Sequence, residues 1–309
     1  MAGFFGIGDY TKEGKGVDKN APKKRGFFAF FELFFRKFWR LIKLNLIYIL
    51  ACVPTALIVF LVGGYVSGMF LGNASDMLKS EPTLSVLLDM GIRLYFVLIF
   101  SVLWGMGPVS CGYTYVLRNY SREEHSWMFS DFLQHTKNNF KQSIVVWAVD
   151  IFAFVAMFCA YGFYNAQSGA LFYLKYMILC IFFIYTFMHF YIYQMIITFK
   201  LSLKDVYKNS LLLALGKLPR NFLIFVMILF VHMGLPYFII LFSGGSPAAL
   251  MIFVLLEILI LPSFTGFAEN FSVYSVIRDI MLVKADPGRY GENRENGEES
   301  VFSDEKILN

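Results

Sequence analysis

FFAFFELFFRKFWRLIK, residues 27–43, sets eight aromatic rings among seventeen side chains and interleaves four cations with them. Wound as an α-helix, it places Glu32, Arg36, Arg40 and Lys43 at steps of four, four and three, with Glu32 and Arg36 in the favourable i,i+4 order. Nearly all the remaining surface is Phe, Trp, Leu or Ile. A soluble helix does not need so wide an apolar face, and a helix crossing hydrocarbon does not carry five charges between positions 32 and 43. A helix lying in the membrane interface takes this composition. Trp39 and the phenyl rings would face the acyl boundary, and Arg36, Lys37, Arg40 and Lys43 the head groups. Residues 27–43 are therefore expected to lie flat, and the rest of the chain must supply the membrane.

It does. The 309 residues are 58% hydrophobic, 19% aromatic and only 16% charged, against roughly 25% charged in ordinary soluble domains. Six apolar blocks, at about 44–71, 91–116, 143–166, 170–199, 221–242 and 248–276, are each long enough to cross hydrocarbon, which takes about 20 residues. Twenty-four of the 27 Lys and Arg residues fall before block one, between blocks two and three, between four and five, or after six. Only Lys79, Arg93 and Lys175 fall on the other side. The positive-inside rule then predicts a multi-pass membrane protein with both termini cytoplasmic. The net charge of +5 reads as attraction to an anionic inner leaflet, not to nucleic acid. Residues 1–26 read as a cytoplasmic segment, 27–276 as the membrane domain and 277–309 as an acidic, disordered cytoplasmic tail. Cys52, Cys111, Cys159 and Cys180 sit in apolar blocks without metal-like spacing and read as small buried hydrophobes. Asn73-Ala-Ser75 is a glycosylation sequon on the outer side, meaningful only in a glycosylating host.

The two long inner connections, 121–143 and 202–222, resemble the opening stretch. Each begins with a candidate capping box, Ser121 with Glu124 and Ser202 with Asp205. Met128, Phe129, Phe132, Leu133 and Phe140 gather on one side of the first, and Leu203, Val206, Tyr207, Ser210, Leu211 and Ala214 on one side of the second. Each amphipathic stretch runs into a basic residue and an asparagine before the next block: Asn45, Asn139 and Asn221. Blocks two and six share Pro-x-x-x-Gly, at Pro108/Gly112 and Pro262/Gly266. The fold expected is an all-α polytopic membrane protein. It has six transmembrane helices and three cytoplasmic interfacial helices, in a threefold repeat of helix plus transmembrane hairpin. The competing account is that any inner loop collects cations and amphipathic helix without duplication.

Ionisable residues inside spans are costly and therefore mark candidate sites. Asp150, His189, His232 and Glu257 lie deep in blocks three to six. Together they suit a proton relay or polar substrate site; singly, each suits a neutral group hydrogen-bonded to a neighbouring helix. Pro54, Pro236 and Pro262 would free backbone carbonyls inside spans, for a ligand or simply as kinks. No P-loop, His-Glu-x-x-His, Gly-x-Ser-x-Gly or Cys-x-x-Cys is present. The sequence accordingly predicts no enzyme, no catalytic residue, no metal site and no cofactor. His125 and His135 read as interfacial.

FFGIGDYTKEGKGVDKNAPKKRGFFAFFELFFRKFWRLIKLNLIYIL, GPVSCGYTYVLRNYSREEHSWMFSDF and KNNFKQS resemble the YesL family of bacterial integral membrane proteins. The resemblance runs from the N-terminal segment through block three, is looser beyond, and excludes the acidic tail. That family has no established activity and lends no catalytic residue. It implies a protein of the bacterial cell membrane, encoded beside carbohydrate ABC importers and glycan-degrading enzymes. From that context comes the expected function, a non-catalytic accessory or assembly protein of carbohydrate ABC import. It would dock on permease or ATPase subunits through inner-face residues of the family motif and its neighbours: Arg118, Asn119, Arg122, Glu123, Glu124, Asp131, Asn139, Arg220 and Asn221. The alternative is an autonomous secondary transporter built on the acid and histidine residues of the midplane.

Overall fold

The computed structural model describes residues 26–72, 82–244 and 246–282, and these form helices without a β-sheet. In chain order they are α1 (Gly26–Gly72), α2 (Pro82–Leu103), α3 (Pro108–Ser121), α4 (Met128–Asn138) and α5 (Phe140–Asn165). A 3₁₀ turn (Gly169–Tyr173) leads into α6 (Leu174–Thr198), followed by α7 (Leu203–Gly216) and α8 (Leu218–Leu229). A π-helical turn (Phe230–Gly234) joins α8 to α9 (Leu235–Ser243). α10 (Pro247–Leu259), α11 (Leu261–Ile277) and a second π turn (Arg278–Leu282) complete the chain. Five helical stretches are long and apolar enough to cross a membrane, and a sixth is formed if α10 and α11, bent by 46°, count as one. The protein is thus an all-α polytopic membrane protein. Outward-facing Leu50, Leu57, Leu61 and Tyr65 repeat at helical spacing along α1, as a lipid-facing stripe must.

Residues 27–43 do not form a separate flat helix. They are the first part of α1, which continues without interruption into the first span. At 1.5 Å per residue its 47 residues reach about 70 Å, over twice the hydrocarbon thickness. The reason is packing. Phe30 and Phe34 bury one face of this segment against Phe264 and Phe267 of α11, with Phe30 also meeting Phe271. Trp39, Phe35 and Phe28 form the opposite, exposed face, and Phe27 at the start of the helix is exposed as well. The wide apolar surface read from the sequence is two surfaces, one for protein and one left outward.

The same logic repeats. α4 packs on α3, where a Cβ on Gly112 would overlap the Phe132 carbonyl oxygen and Thr136 Oγ1. α7 packs on α6, with Val206, Ser210, Leu213 and Ala214 buried and Ser210 Oγ 3.6 Å from Met195 Sδ. Each amphipathic helix therefore sits on the second helix of the preceding hairpin, and the start of α1 sits on the last one, closing the ring. Inside the ring α3, the buried half of α6 and α11 meet one another. Arg118 Nη1 donates to Thr198 Oγ1 at 2.9 Å, Tyr113 and Ser263 hydroxyls lie 3.0 Å apart, and Gln194 donates to Asn270. We call this end, where α4, α7 and the start of α1 lie, the basic end.

Several boundaries differ from the expectation. The second block is broken at residues 104–107 into α2 and α3, and α2 begins nine residues early. Ser121 does not start a capping box; it ends α3, donating to the Arg118 carbonyl at 2.7 Å. Glu123 follows with a left-handed φ of 62°, so α4 starts only at Met128. Ser202 does cap α7, accepting the Asp205 amide at 3.2 Å. Cys52 and Cys111 are buried, but Cys159 and Cys180 face outward. Residues 1–25, the sequon and tail residues 283–309 lie outside the described residues, while 277–282, expected to open the tail, are helical.

Candidate functional site

The four deep ionisable residues come together as two pairs, not as one site. In the second hairpin, His189 Nε2 of α6 lies 2.9 Å from Asp150 Oδ1 of α5, out of hydrogen-bond alignment. Both His189 ring nitrogens and Asp150 Oδ2 consequently lack a hydrogen bond. The Tyr185 hydroxyl donates to Asp150 Oδ1 at 2.7 Å, and the Trp104 indole stacks on the imidazole at 5.8 Å between centroids. In the third hairpin, His232 Nδ1 contacts Glu257 Oε1 and Oε2 at 3.0 and 3.1 Å, and its Nε2 contacts Thr265 Oγ1 at 3.0 Å. All four residues are buried. The registers match: Asp150 follows Asn139 by eleven residues, and His232 follows Asn221 by eleven. The same step from Asn45 reaches Ala56, so the first hairpin has no such pair.

Two of the three prolines, Pro236 and Pro262, free carbonyls that the protein itself occupies. Proline has no N–H, so the carbonyl four residues earlier loses its helical donor. Pro262 orphans Ile258 O, which accepts Asn45 Nδ2 at 2.8 Å. Pro236 orphans His232 O, which accepts the Tyr95 hydroxyl. His232 also spans the α10–α11 bend, with Glu257 before it and Thr265 after it.

The other break is different. Residues 104–107 carry positive φ at Gly105 (81°) and Gly107 (66°), which glycine adopts without steric cost. The loop amides are met by side chains: Met106 N–H donates to Ser110 Oγ at 2.6 Å and Gly107 N–H to the Tyr193 hydroxyl at 3.2 Å. Beside the loop is a cavity of about 50 Å³ whose lining includes Tyr48, Ser101, Ser110, His189, Glu269 and Asn270. Glu269 was not among the residues read from the sequence. It stands in block six, seven residues from the end of that block and three after Gly266. The depth criterion that selected the other four selects it too.

At the basic end, a groove of about 470 Å³ is lined by Lys137, Asn138, Lys141, Gln142, Lys200, Leu201 and Ser202. Gln142 Nε2 donates to the Leu201 carbonyl at 2.9 Å and fixes its floor.

Most residues expected to dock a partner are engaged inside the protein. Arg118, Asn119, Asn139 and Asn221 are buried. Asn221 donates to the Leu213 and Ala214 carbonyls at the end of α7 and accepts the Tyr191 hydroxyl at 2.6 Å. Asn139 donates to the His135 carbonyl at 2.8 Å. Arg220 ties α8 to α11 through Ser272 and Ser275 at 2.8 and 2.7 Å. Arg122 pairs with Glu124, Glu123 with Arg36, and Ser126 donates to Asp131 at 2.7 Å. Burial pulls the Arg118 guanidinium below its ordinary pKa, and neighbouring Arg122 adds to the effect. Of the interfacial residues, Lys37 lies over the Tyr120 ring, while Trp39, Arg40 and Lys43 are exposed. His135 stacks on Tyr115 and His125 meets Trp127 edge-on.

No curated protein and no solved structure matches the chain. Residues 90–161, from α2 through the broken loop to α5, match the family model described as "Protein of unknown function, DUF624".

Proposed function

We propose that the chain is a non-catalytic accessory or assembly protein of the bacterial cell membrane, serving carbohydrate ABC import, with both termini cytoplasmic and the basic end inward. The carrying observation is a contrast of sizes. The interior cavity of about 50 Å³ has room for about three or four waters, far below the roughly 300–1,000 Å³ of sites that enclose small organic ligands. The groove of about 470 Å³ opens at the basic end among three lysines. Among the described residues this cavity is too small for a sugar, and the groove among the lysines suits an acidic surface. The division of Asp150, His189, His232 and Glu257 into separate pairs also removes the single midplane site on which an autonomous transporter would rest. The residues suited to docking are then Lys137, Lys141 and Lys200, with the anionic inner leaflet held by Trp39, Arg40 and Lys43. The YesL-like stretches supply the link to sugar importers.

Two experiments test this. Affinity purification in mild detergent, from cells grown on an inducing glycan, is expected to recover permease, ATPase or binding-protein chains; recovery of this chain alone contradicts the proposal. A cysteine placed at Lys204 should resist a membrane-impermeant thiol reagent in intact cells. Labelling there would reverse the orientation.

A further inference from the structure

The cavity beside residues 104–107 contains polar groups that the packing leaves unspent. Glu269 lines it, partly exposed to its space, and among the described residues its carboxylate forms no hydrogen bond or ion pair. His189 lines the same cavity, is 4% exposed, and has no hydrogen bond on either ring nitrogen. Among the described residues no lysine or arginine lines the cavity, and Arg118, the cation of α3, stands at that helix's other end, donating to Thr198 and lying over the Tyr115 ring at 4.9 Å. A carboxylate away from bulk water costs several kcal/mol unless something positive accompanies it.

The surroundings specify what that is. α2 ends at Leu103 and residues 101–105 line the cavity, bringing carbonyls of its last turn to this space. The start of α3 beside it has the amides of Met106, Gly107 and Ser110 already bonded to Ser110 Oγ, the Tyr193 hydroxyl and the Gly107 carbonyl. Broken spans in membrane proteins use such open backbone to hold cations. Apart from the His189 imidazole, the polar side chains named in the lining offer oxygens: the carboxylate of Glu269, the hydroxyls of Tyr48, Ser101 and Ser110, and the amide oxygen of Asn270, which also accepts Gln194. Hard oxygen donors select hard cations. One carboxylate balances one positive charge, and about 50 Å³ admits an inorganic ion with a water or two but no organic cation. We infer that this cavity is a binding site for one small monovalent inorganic cation, sodium or potassium, with Glu269 as its charge partner. The site is independent of docking at the basic end, and it stands or falls separately.

Trp104, 2% exposed and part of the lining, gives a built-in reporter. The purified full-length chain in detergent is titrated with sodium chloride or potassium chloride against N-methylglucamine chloride at constant ionic strength, following tryptophan fluorescence and the thermal midpoint. A saturable response to sodium or potassium is expected, with the midpoint rising by a few degrees at saturation. Glu269→Gln keeps the shape, removes the charge and is expected to weaken the response at least tenfold. If that variant does not survive purification, Ser101→Ala replaces it, with a several-fold weakening expected. The inference is overturned if sodium, potassium and N-methylglucamine act alike, or if whichever variant is measured responds as the wild type does. It is also overturned if only pH moves the signal, because the carboxyl then takes a proton and no metal cation.

Discussion

The two broken spans carry the same motif and are built in opposite ways. Pro108/Gly112 follows a four-residue loop with two left-handed glycines, held by Ser110 and Tyr193 and bordered by a cavity. Pro262/Gly266 follows a bend at Ile260, where the chain stays helical on both sides and Asn45 and His232 fill what the bend exposes. Proline explains why each span breaks; the neighbours decide whether the break opens or closes. Where another helix brings an amide or imidazole to the freed groups, the bend is sealed. Where the freed amides are met only by hydroxyls, as at Ser110 and Tyr193, space remains.

Substitutions can sharpen or abolish this contrast. The largest expected effect is at the sealed bend. His232→Leu strips Glu257 of its partner and Thr265 of its contact. Removing one member of a buried pair costs about 3–5 kcal/mol, read as lost thermal stability in detergent, and a loss under about 1 kcal/mol contradicts the clamp. His189→Leu should cost less, because that imidazole makes no hydrogen bond and Asp150 keeps Tyr185. Next come the motif glycines. Gly112→Ala drives a methyl group into backbone of α4 and should cost about 3 kcal/mol. At Gly266 the new methyl would meet only the tips of Leu117 and Tyr113, at 3.0 and 3.3 Å, for about 1 kcal/mol. Equal losses at the two glycines would show that their surroundings are alike after all. Asn45→Ala leaves Ile258 O without a donor at about 1–3 kcal/mol. Ser110→Ala, at the open break, should cost about 1 kcal/mol, since water in the cavity can replace the lost hydroxyl.

What the sequence made legible follows from period and charge. Apolar length found the helices of blocks three to six within about four residues of their ends but missed the early starts of α1 and α2, and the amphipathic stretches were found because a 3.6-residue period survives in any helix. The flat placement of residues 27–43 failed for a definite reason. An aromatic stripe has the same pattern whether it meets lipid or phenylalanines of a helix more than 200 residues later, and only tertiary contact separates the two. The capping box at Ser121 failed because Ser121 ends a helix, and the motif does not say which side of the serine is helical. Asp150, His189, His232 and Glu257 are buried, but their pairing depends on which helices face each other. Asn139 and Asn221, assigned to docking, proved to satisfy helix ends from within. Basic and amide residues near a membrane surface serve either purpose, and nothing in their spacing distinguishes them.

The central claim is that the ring closes, with the first amphipathic segment seated on the last span and not afloat in the interface. Its most direct test is cross-linking in native membranes, in a chain whose four cysteines are replaced by alanine. Cysteines at Phe30 and Phe271, whose rings lie 5.7 Å apart, should be joined by a short bis-maleimide, while a pair at Trp39 and Phe271 should not. Efficient joining of the Trp39 pair with none at Phe30 would contradict the closed ring.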